Sequence, residues 1–246
     1  MNILILKAYK MIVTHSINES ADTIRAEYSK HMGPDWARYL NKLLISEYMD
    51  DLVFYIEQSY LQNDMTFPRD RSILMKTFKK TPLDKLKVVI IGDEPYVEYL
   101  GNGLAFGNYN AIDAMLSPEL RNIKQCVLEN CREGKSKTFD TSLEDWSTQG
   151  VLLLNRTLLS EKGSKLRHEK AFRNFTREII KTIDKQEVDI VFVFTSKEQE
   201  ALYKQYINLD YHHVLTTEGI KPNSEIFNQI NDILEEELSP NSLIAW

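Results

Sequence analysis

The chain has 246 residues, and its 36 acidic residues outnumber its 30 basic ones, which gives a formal net charge of -6. Hydrophobic residues make up 43% of the sequence, so the chain can bury a substantial core and does not have the composition of a disordered protein. The acidic balance argues against non-specific nucleic-acid binding by the molecule as a whole, although a local basic face remains compatible with it.

The beginning of the chain, residues 1–13, is mildly apolar and contains Lys7 and Lys10, but it has no small-residue cleavage site. We therefore expect a short strand or arm here rather than a signal peptide. No run reaches the ~20 continuous apolar residues that a membrane-crossing helix needs. We predict an N-terminal arm at residues 1–34, a single domain at residues 35–246, no membrane association, and an intracellular location in the cytoplasm or in the nucleus of a host cell.

Helical and strand patterns alternate through the rest of the chain. Apolar residues at helical spacing predict helices at residues 35–62, 72–78, 117–130, 172–185 and 197–206. Short, almost wholly apolar runs predict buried strands at residues 87–92, 150–155 and 189–194, with a weaker one at 212–217. This alternation predicts an α/β, three-layer fold with a central, mainly parallel four-stranded sheet flanked by helices. In such sheets the chemistry collects in the loops at the carboxyl ends of the strands.

Metal and cofactor sites leave a recognisable sequence pattern, and none is found. The two cysteines, Cys126 and Cys131, lie in a predicted helix at a spacing that fits neither a zinc site nor a disulfide scaffold. The sequence also lacks a glycine-rich loop of the kind that holds phosphates. We therefore predict no metal and no organic cofactor.

Three motifs lie at, or shortly after, the carboxyl ends of the first two predicted strands. They are Gly92-Asp93-Glu94-Pro95-Tyr96-Val97, Gly103-Leu104-Ala105-Phe106 and Leu152-Leu153-Leu154-Asn155. Together they resemble the family 1 uracil-DNA glycosylases, which carry Gly-Gln-Asp-Pro-Tyr-His, Gly-Leu-Ala-Phe and Leu-Leu-Leu-Asn. Shorter matches at residues 79–87, 120–123, 175–176, 213–216 and 246 extend the resemblance from about residue 36 to the end of the chain. Members of this family flip a deoxyuridine out of DNA and hydrolyse its glycosidic bond.

The resemblance implies a base-binding pocket at three residues that match the family. Phe106 would stack on the uracil ring, and Asn155 would bond its polar edge, because an amide offers both a donor and an acceptor. Tyr96 would fill the space beside C5 and exclude the methyl group of thymine. Outside this resemblance, the two aromatic residues could equally be core residues, and Asn155 could cap a strand end.

The residues that carry the family's chemistry have changed. Glu94 replaces an aspartate that positions water, and its extra methylene moves the carboxylate by about 1 Å, a misplacement that can cost ~10²-fold in rate. Gly219 occupies the position of a histidine that bonds the departing uracil, and loss of such a donor costs ~3 kcal/mol. Asp93 replaces a glutamine and adds a second carboxylate to the loop. His212 and His213 do not obviously replace the lost donor.

The predicted DNA contacts are also mixed. By resemblance they fall at Ser117, Ser196, Lys221, Asn223 and Ser224. Asn223 replaces a leucine that wedges into the duplex, and an amide is a poor apolar wedge. Glu119, like Asp93, adds a carboxylate to a loop expected to face DNA, which should repel phosphates. A basic patch is expected at Arg167, His168 and Lys170, either as a solvated surface or as a phosphate contact.

Three functions remain open on this pattern. The chain could recognise uracil or a related base in DNA with weak or no cleavage, since the base-binding residues are kept while the acid-base and wedge residues have changed. It could instead be an active glycosylase in base-excision repair that uses Glu94, or a non-catalytic accessory module of replication or transcription with a protein partner. Some viral relatives double as replication factors, which fits the third function. The pattern does not indicate an oligomeric state.

Overall fold

The computed structural model describes residues 21–63, 65–97, 101–109, 112–131 and 139–246, and the strand or arm predicted at residues 1–13 lies outside them. Helices and strands alternate along this part of the chain. The helices are α1 (Ala21–Met32), α2 (Pro34–Tyr39), α3 (Asn41–Leu44), α4 (Glu47–Gln62), α5 (Lys76–Lys80), α6 (Pro118–Asn130), α7 (Glu144–Thr148), α8 (Glu169–Asp184), α9 (Lys197–Tyr203) and α10 (Ile226–Glu237). The strands are β1 (Thr66–Phe67), β2 (Val88–Gly92), β3 (Val151–Asn155), β4 (Ser160–Glu161), β5 (Ile190–Phe194) and β6 (His212–Thr216).

The main sheet in the described residues has four parallel strands in the order β3-β2-β5-β6. All four predicted strands are found within a residue of their expected bounds, and the predicted α/β class is confirmed. The register pairs Gly92 with Asn155 at the carboxyl ends of β2 and β3. These two motif residues are therefore neighbours across the sheet.

The sheet separates two hydrophobic cores because alternate side chains of each strand point to opposite faces. In β2, Val89 and Ile91 contribute to one core, whereas Val88 and Ile90 contribute to the other. The first core is covered by helices that include α4 and α8, and the second by helices that include α6 and α10. The result is the three-layer arrangement that the strand pattern predicts.

Part of the segment predicted as an arm packs within the domain. Helix α1 buries Tyr28 and Met32 in the first core, and Tyr28 donates a 3.1 Å hydrogen bond to Glu57 of α4. Arg25 pairs with Asp50 at 2.8 Å on the same contact. The expectation of an arm extending to residue 34 therefore differs from the structure, because the apolar stripe of α1 is long enough to join the core.

A short pair of strands was not predicted from the sequence. Strands β1 and β4 form a two-stranded antiparallel pair, and each is too short to leave a periodic pattern. Within the part of the chain that the structure describes, no helix combines the length and the apolar character that a membrane span requires.

Candidate functional site

A groove of about 710 Å³ opens at the carboxyl edge of the main sheet, and it continues into a smaller cavity of about 170 Å³. Four residues of the predicted site line both spaces: Glu94, Tyr96, Phe106 and Asn155. The strand ends place Asn155 beside the loop that follows β2, and the fold brings the Phe106 turn against both. The structure thus brings together residues that are up to 61 positions apart in sequence.

Asn155 presents an uncommitted amide to this groove. Its side chain is 7% exposed, and within the described residues the amide has no hydrogen-bond partner. The amide is therefore available to a ligand that offers one donor and one acceptor.

Gly92 allows the amide and an aromatic ring to meet. A Cβ atom at Gly92 would lie 2.7 Å from Oδ1 of Asn155, 3.1 Å from Cβ of Ala105 and 3.3 Å from Cζ of Phe106. These separations are shorter than ordinary contacts. The Asn155 amide and the Phe106 ring can therefore approach each other here only because Gly92 has no side chain. Phe106 itself has a φ of 66°, in the left-handed region that a bulky residue rarely adopts. Such local strain is characteristic of functional sites.

Tyr96 forms a fixed wall of the groove. The Ser117 hydroxyl donates a short hydrogen bond to the Tyr96 hydroxyl, and it also accepts a 3.0 Å bond from the backbone N–H of Leu120. Ser117 thereby caps helix α6 and holds the tyrosine at once. Burial raises the pKa of Tyr96 far above its ordinary value, so the phenol remains neutral.

Glu94 lies half-buried at the junction of the groove and the cavity. Its Oε2 atom accepts a 2.9 Å hydrogen bond from the backbone N–H of Leu166, which precedes α8. Burial raises the pKa of Glu94, the Leu166 N–H opposes that shift, and the neighbouring Asp93 adds to it. The carboxyl group is thus held in place by one oxygen and is a stronger base than an exposed glutamate.

Asp93 is ion-paired rather than an unbalanced charge facing the groove. Its Oδ1 atom accepts 3.0 Å hydrogen bonds from Nε of Arg156 and from the side-chain amide of Gln199. Lys165 lies 3.5 Å from Oδ2. Arg156 is 1% exposed and also pairs with Glu198 at 3.1 Å. The expectation that Asp93 adds free negative charge to this loop is corrected by this network.

Arg156, Lys165 and Gln199 were missed by the sequence analysis. Arg156 directly follows Asn155, so its position after a buried strand was an available signal. The other two lie after unmatched stretches, where no motif pointed to them. The groove lining also includes Thr195, whose hydroxyl donates a 2.8 Å bond to the carbonyl of Ile91.

Gly219 lies in the groove lining as predicted, but it offers only backbone there. Its φ is +71°, and no atom lies within 4 Å of the position that a Cβ would take. Its N–H donates a 2.9 Å bond to the carbonyl of Thr195, so that donor is already used. His212 and His213 begin β6 and therefore lie at the opposite edge of the sheet, where His213 pairs with Glu237 at 3.4 Å.

Of the five predicted DNA contacts, Ser117 lines the groove and the other four do not. Lys221 and Asn223 are exposed in the loop before α10, and Ser224 accepts a 3.3 Å bond from the N–H of Ile226. Ser196 caps α9 by accepting a 3.2 Å bond from the N–H of Gln199. These residues surround the site without contributing side chains to its walls.

The basic patch expected at residues 167–170 is smaller than predicted. His168 is 2% exposed, and its Nδ1 atom shares a 2.9 Å hydrogen bond with the hydroxyl of Tyr55. Burial lowers the pKa of His168, so it does not supply positive charge. Arg167 is exposed but pairs with Glu161 at 3.0 Å.

The described groove lining carries three carboxylates, from Asp93, Glu94 and Glu119, and the ammonium group of Lys165. A cluster with metal-ligand spacing lies elsewhere, at the amino edge of the sheet. It comprises Asp189, His213 and Glu237, whose ligand atoms lie within 4.8 Å of one another.

Comparison with known proteins points to one family. Residues 78–235 match the family model described as the uracil DNA glycosylase superfamily. A uracil-DNA glycosylase of Mycoplasmopsis pulmonis is 34% identical over 82% of this chain and 92% of that protein. One from Azobacteroides pseudotrichonymphae is 33% identical over 86% of this chain and 96% of that protein.

Solved structures share the fold at lower sequence identity. Mimivirus uracil-DNA glycosylase superposes with a TM-score of 0.73 at 18% identity, covering 84% of each chain. A variant of mimivirus UNG crystallised in complex with UGI gives a TM-score of 0.70 at 17% identity, covering 83% of this chain and 85% of that chain.

Proposed function

Because the chain belongs to the uracil-DNA glycosylase superfamily, we propose that its groove recognises uracil or a related base in DNA, with weak or no cleavage of the glycosidic bond. The observation that carries this proposal is the buried Asn155 amide, which lacks a partner in the described residues and faces the groove beside Phe106 and Tyr96. A flipped base would stack on the ring and satisfy the amide.

The three residues would divide the recognition between them. With its amide held in one orientation, Asn155 would pair with the N3–H and O4 of uracil and would mismatch the reversed edge of cytosine. The Tyr96 ring, fixed by Ser117, would occupy the space that the methyl group of thymine needs. A site built to bond a polar edge rejects a base that leaves those groups unpaired.

Two features support weak chemistry. Position 219 has no side chain that could donate to a departing base anion, and its backbone N–H is already bonded to Thr195. One oxygen of Glu94 is occupied by the Leu166 N–H, so only the other oxygen is available to orient water. Loss of one preorganised donor to a developing anion costs about 3 kcal/mol, or roughly 100-fold in rate.

Two other functions each have a supporting observation. An active glycosylase would use Glu94, whose position in both spaces and raised pKa suit a carboxylate that handles water. A protein-binding module is supported by the carboxylates of Glu94 and Glu119 in the groove lining, which would repel phosphate and suit a basic partner.

The test is competitive binding to short oligonucleotides that differ only in one uracil, thymine or cytosine. We expect preference for uracil, and Asn155→Ala should reduce discrimination against cytosine by about ten- to a hundred-fold, since two hydrogen bonds to a base are worth about 1–3 kcal/mol. Asn174→Ala, at an exposed asparagine of α8, is the matched control. Equal binding of all three oligonucleotides would refute base recognition and favour the protein-binding module.

Cleavage is measured separately, as uracil release under single-turnover conditions with excess protein. Slow or undetectable release is expected from the unchanged chain. Release at a rate typical of efficient glycosylases would refute weak cleavage, and its loss in Glu94→Gln would then assign the catalytic carboxylate. Binding and release therefore separate the three functions.

A further inference from the structure

Three side chains of the kinds that bind metal ions converge at the amino edge of the main sheet, away from the groove. Asp189 directly precedes β5, His213 is the second residue of β6, and Glu237 is the last residue of α10. One ligand atom from each residue lies within 4.8 Å of the other two. The three residues are far apart along the chain, so the cluster leaves no compact sequence motif.

The packing of α10 on the sheet brings these residues together. His213 lies two residues before Leu215, which packs on the second core, so the histidine side chain points to the face that α10 covers. Asp189 lies two residues before Val191 of the same core. In the last part of α10, Leu234 is 1% exposed and anchors the helix on this core. The cluster is therefore built on two strands and a packed helix, which fix its geometry.

The spacing between His213 and Glu237 fits two ligands of one zinc ion. Nε2 of His213 lies 3.4 Å from Oε1 of Glu237. This separation is longer than the usual N–H···O hydrogen bond of about 2.9–3.0 Å. Two ligand atoms that each lie ~2.05 Å from a tetrahedral zinc ion are about 3.3 Å apart. A zinc ion can therefore bridge the two atoms with little movement of either side chain.

The charge of the cluster also favours a cation. Among the residues that the structure describes, no lysine or arginine forms an ion pair with Asp189 or Glu237. The last turn of α10 has no basic residue, and it ends in Glu235, Glu236 and Glu237. Acidic side chains are unfavourable there because the carbonyl end of a helix is the negative end of its dipole. A bound cation would offset this repulsion.

We propose that Asp189, His213 and Glu237 bind a Zn²⁺ ion, which fastens the end of α10 to the amino edge of the sheet. The ligand types select the metal, because imidazole together with carboxylate suits zinc, whereas Mg²⁺ and Ca²⁺ take oxygen ligands. Three protein ligands leave the fourth tetrahedral position to water. The groove lies at the carboxyl edge of the sheet, so this proposal does not depend on base recognition.

Titration of the full chain, free of any polyhistidine tag, with Zn²⁺ tests the site directly. We expect isothermal titration calorimetry to show saturable binding of one ion per chain, with which Mg²⁺ does not compete. Loss of even an outer partner of a metal ligand costs about 10- to 100-fold in affinity, so Asp189→Asn, His213→Gln and Glu237→Gln should each weaken binding by at least about ten-fold. Glu236→Gln is the matched control, because it removes the same charge from the same helix end but lies outside the cluster.

Thermal unfolding gives a readout that needs no variant. Zn²⁺ at about ten times its Kd should raise the Tm of the unchanged chain by about 3–6 °C, and EDTA should reverse the rise. Co²⁺ in place of zinc should give a visible absorption band that is lost in His213→Gln. If the unchanged chain shows neither saturable Zn²⁺ binding nor a rise in Tm, the site is overturned. Equal loss of affinity in Glu236→Gln and Glu237→Gln would also overturn it, because the acidic helix end would then collect cations without specific ligands.

Discussion

Gly92→Ala should disable base recognition while leaving the backbone conformation of β2 intact. Gly92 is a strand residue with no left-handed backbone angle, so alanine fits its backbone. The added methyl group, however, would lie 2.7 Å from Oδ1 of Asn155. The same methyl group would lie 3.1 Å from Cβ of Ala105 and 3.3 Å from Cζ of Phe106, so these two residues prevent it from shifting away from Oδ1. The Asn155 amide must therefore move.

The size of that movement sets the expected effect. Ordinary contact begins at 3.4 Å, so the amide oxygen must retreat by about 0.7 Å. A hydrogen bond of about 2.9 Å lengthened by this amount reaches about 3.6 Å and is no longer a hydrogen bond. Loss of one or two bonds to the base corresponds to about 1–3 kcal/mol, or about ten- to a hundred-fold weaker preference for uracil over cytosine. Overpacking should also lower the free energy of unfolding by about 1–3 kcal/mol.

Competitive binding to the uracil and cytosine oligonucleotides measures the first effect, and urea denaturation measures the second. Gly101→Ala is the control, since Gly101 lines the small cavity but a Cβ there meets its nearest neighbour only at 3.7 Å. Gly101→Ala should bind like the unchanged protein. A folded Gly92→Ala variant that retains full discrimination would refute the assigned role of the Asn155 amide.

Three further predictions concern charged groups at and near the groove. Arg156→Met should lower the free energy of unfolding by about 2–3 kcal/mol in urea titrations, because it leaves Asp93 without its buried cation. Adding Asp93→Asn should recover part of that loss. If Arg156→Met is as stable as the unchanged protein, the ion-pair network is contradicted. Burial raises the pKa of Glu94 above that of an ordinary glutamate. Any uracil release should therefore decline as the pH falls through this raised pKa, because protonation removes the carboxylate that orients water. A rate of release that does not depend on pH across the acidic range would argue against a role for Glu94. Burial lowers the pKa of His168, so below about pH 6.5 the unfolded chain binds a proton that the folded chain refuses. Stability should therefore fall with decreasing pH in that range, and His168→Asn should reduce the slope of denaturation midpoints against pH; an unchanged slope would exclude His168 as its source.

The sheet was predictable because its strands are buried on both faces. Runs such as Val88–Gly92 and Val151–Asn155 contain so few polar residues that a buried strand is the natural interpretation. The meeting of Glu94 and Asn155 followed from the rule that parallel strands end at one edge. The groove position of Phe106 came from the family resemblance, since nothing in its periodicity distinguishes a stacking ring from a core ring.

The remaining features depend on side-chain pairing, which leaves no periodic signal. In the sequence Asp93 is an added negative charge, because its partner Arg156 lies 63 positions away along the chain. His168 follows an exposed arginine in sequence, yet its ring turns inward to meet Tyr55. In both cases a single sequence gives the charge of a residue but not the direction of its side chain.

The double use of the Ser117 hydroxyl has a consequence for how the groove can move. One oxygen links the first turn of α6 to the Tyr96 ring through two hydrogen bonds. A shift of α6 toward a bound strand would carry Tyr96 in the same direction and narrow the space beside the base. If the groove binds a strand as proposed, strand binding and selectivity at that wall would be mechanically coupled, and a change at Ser117 would loosen both together.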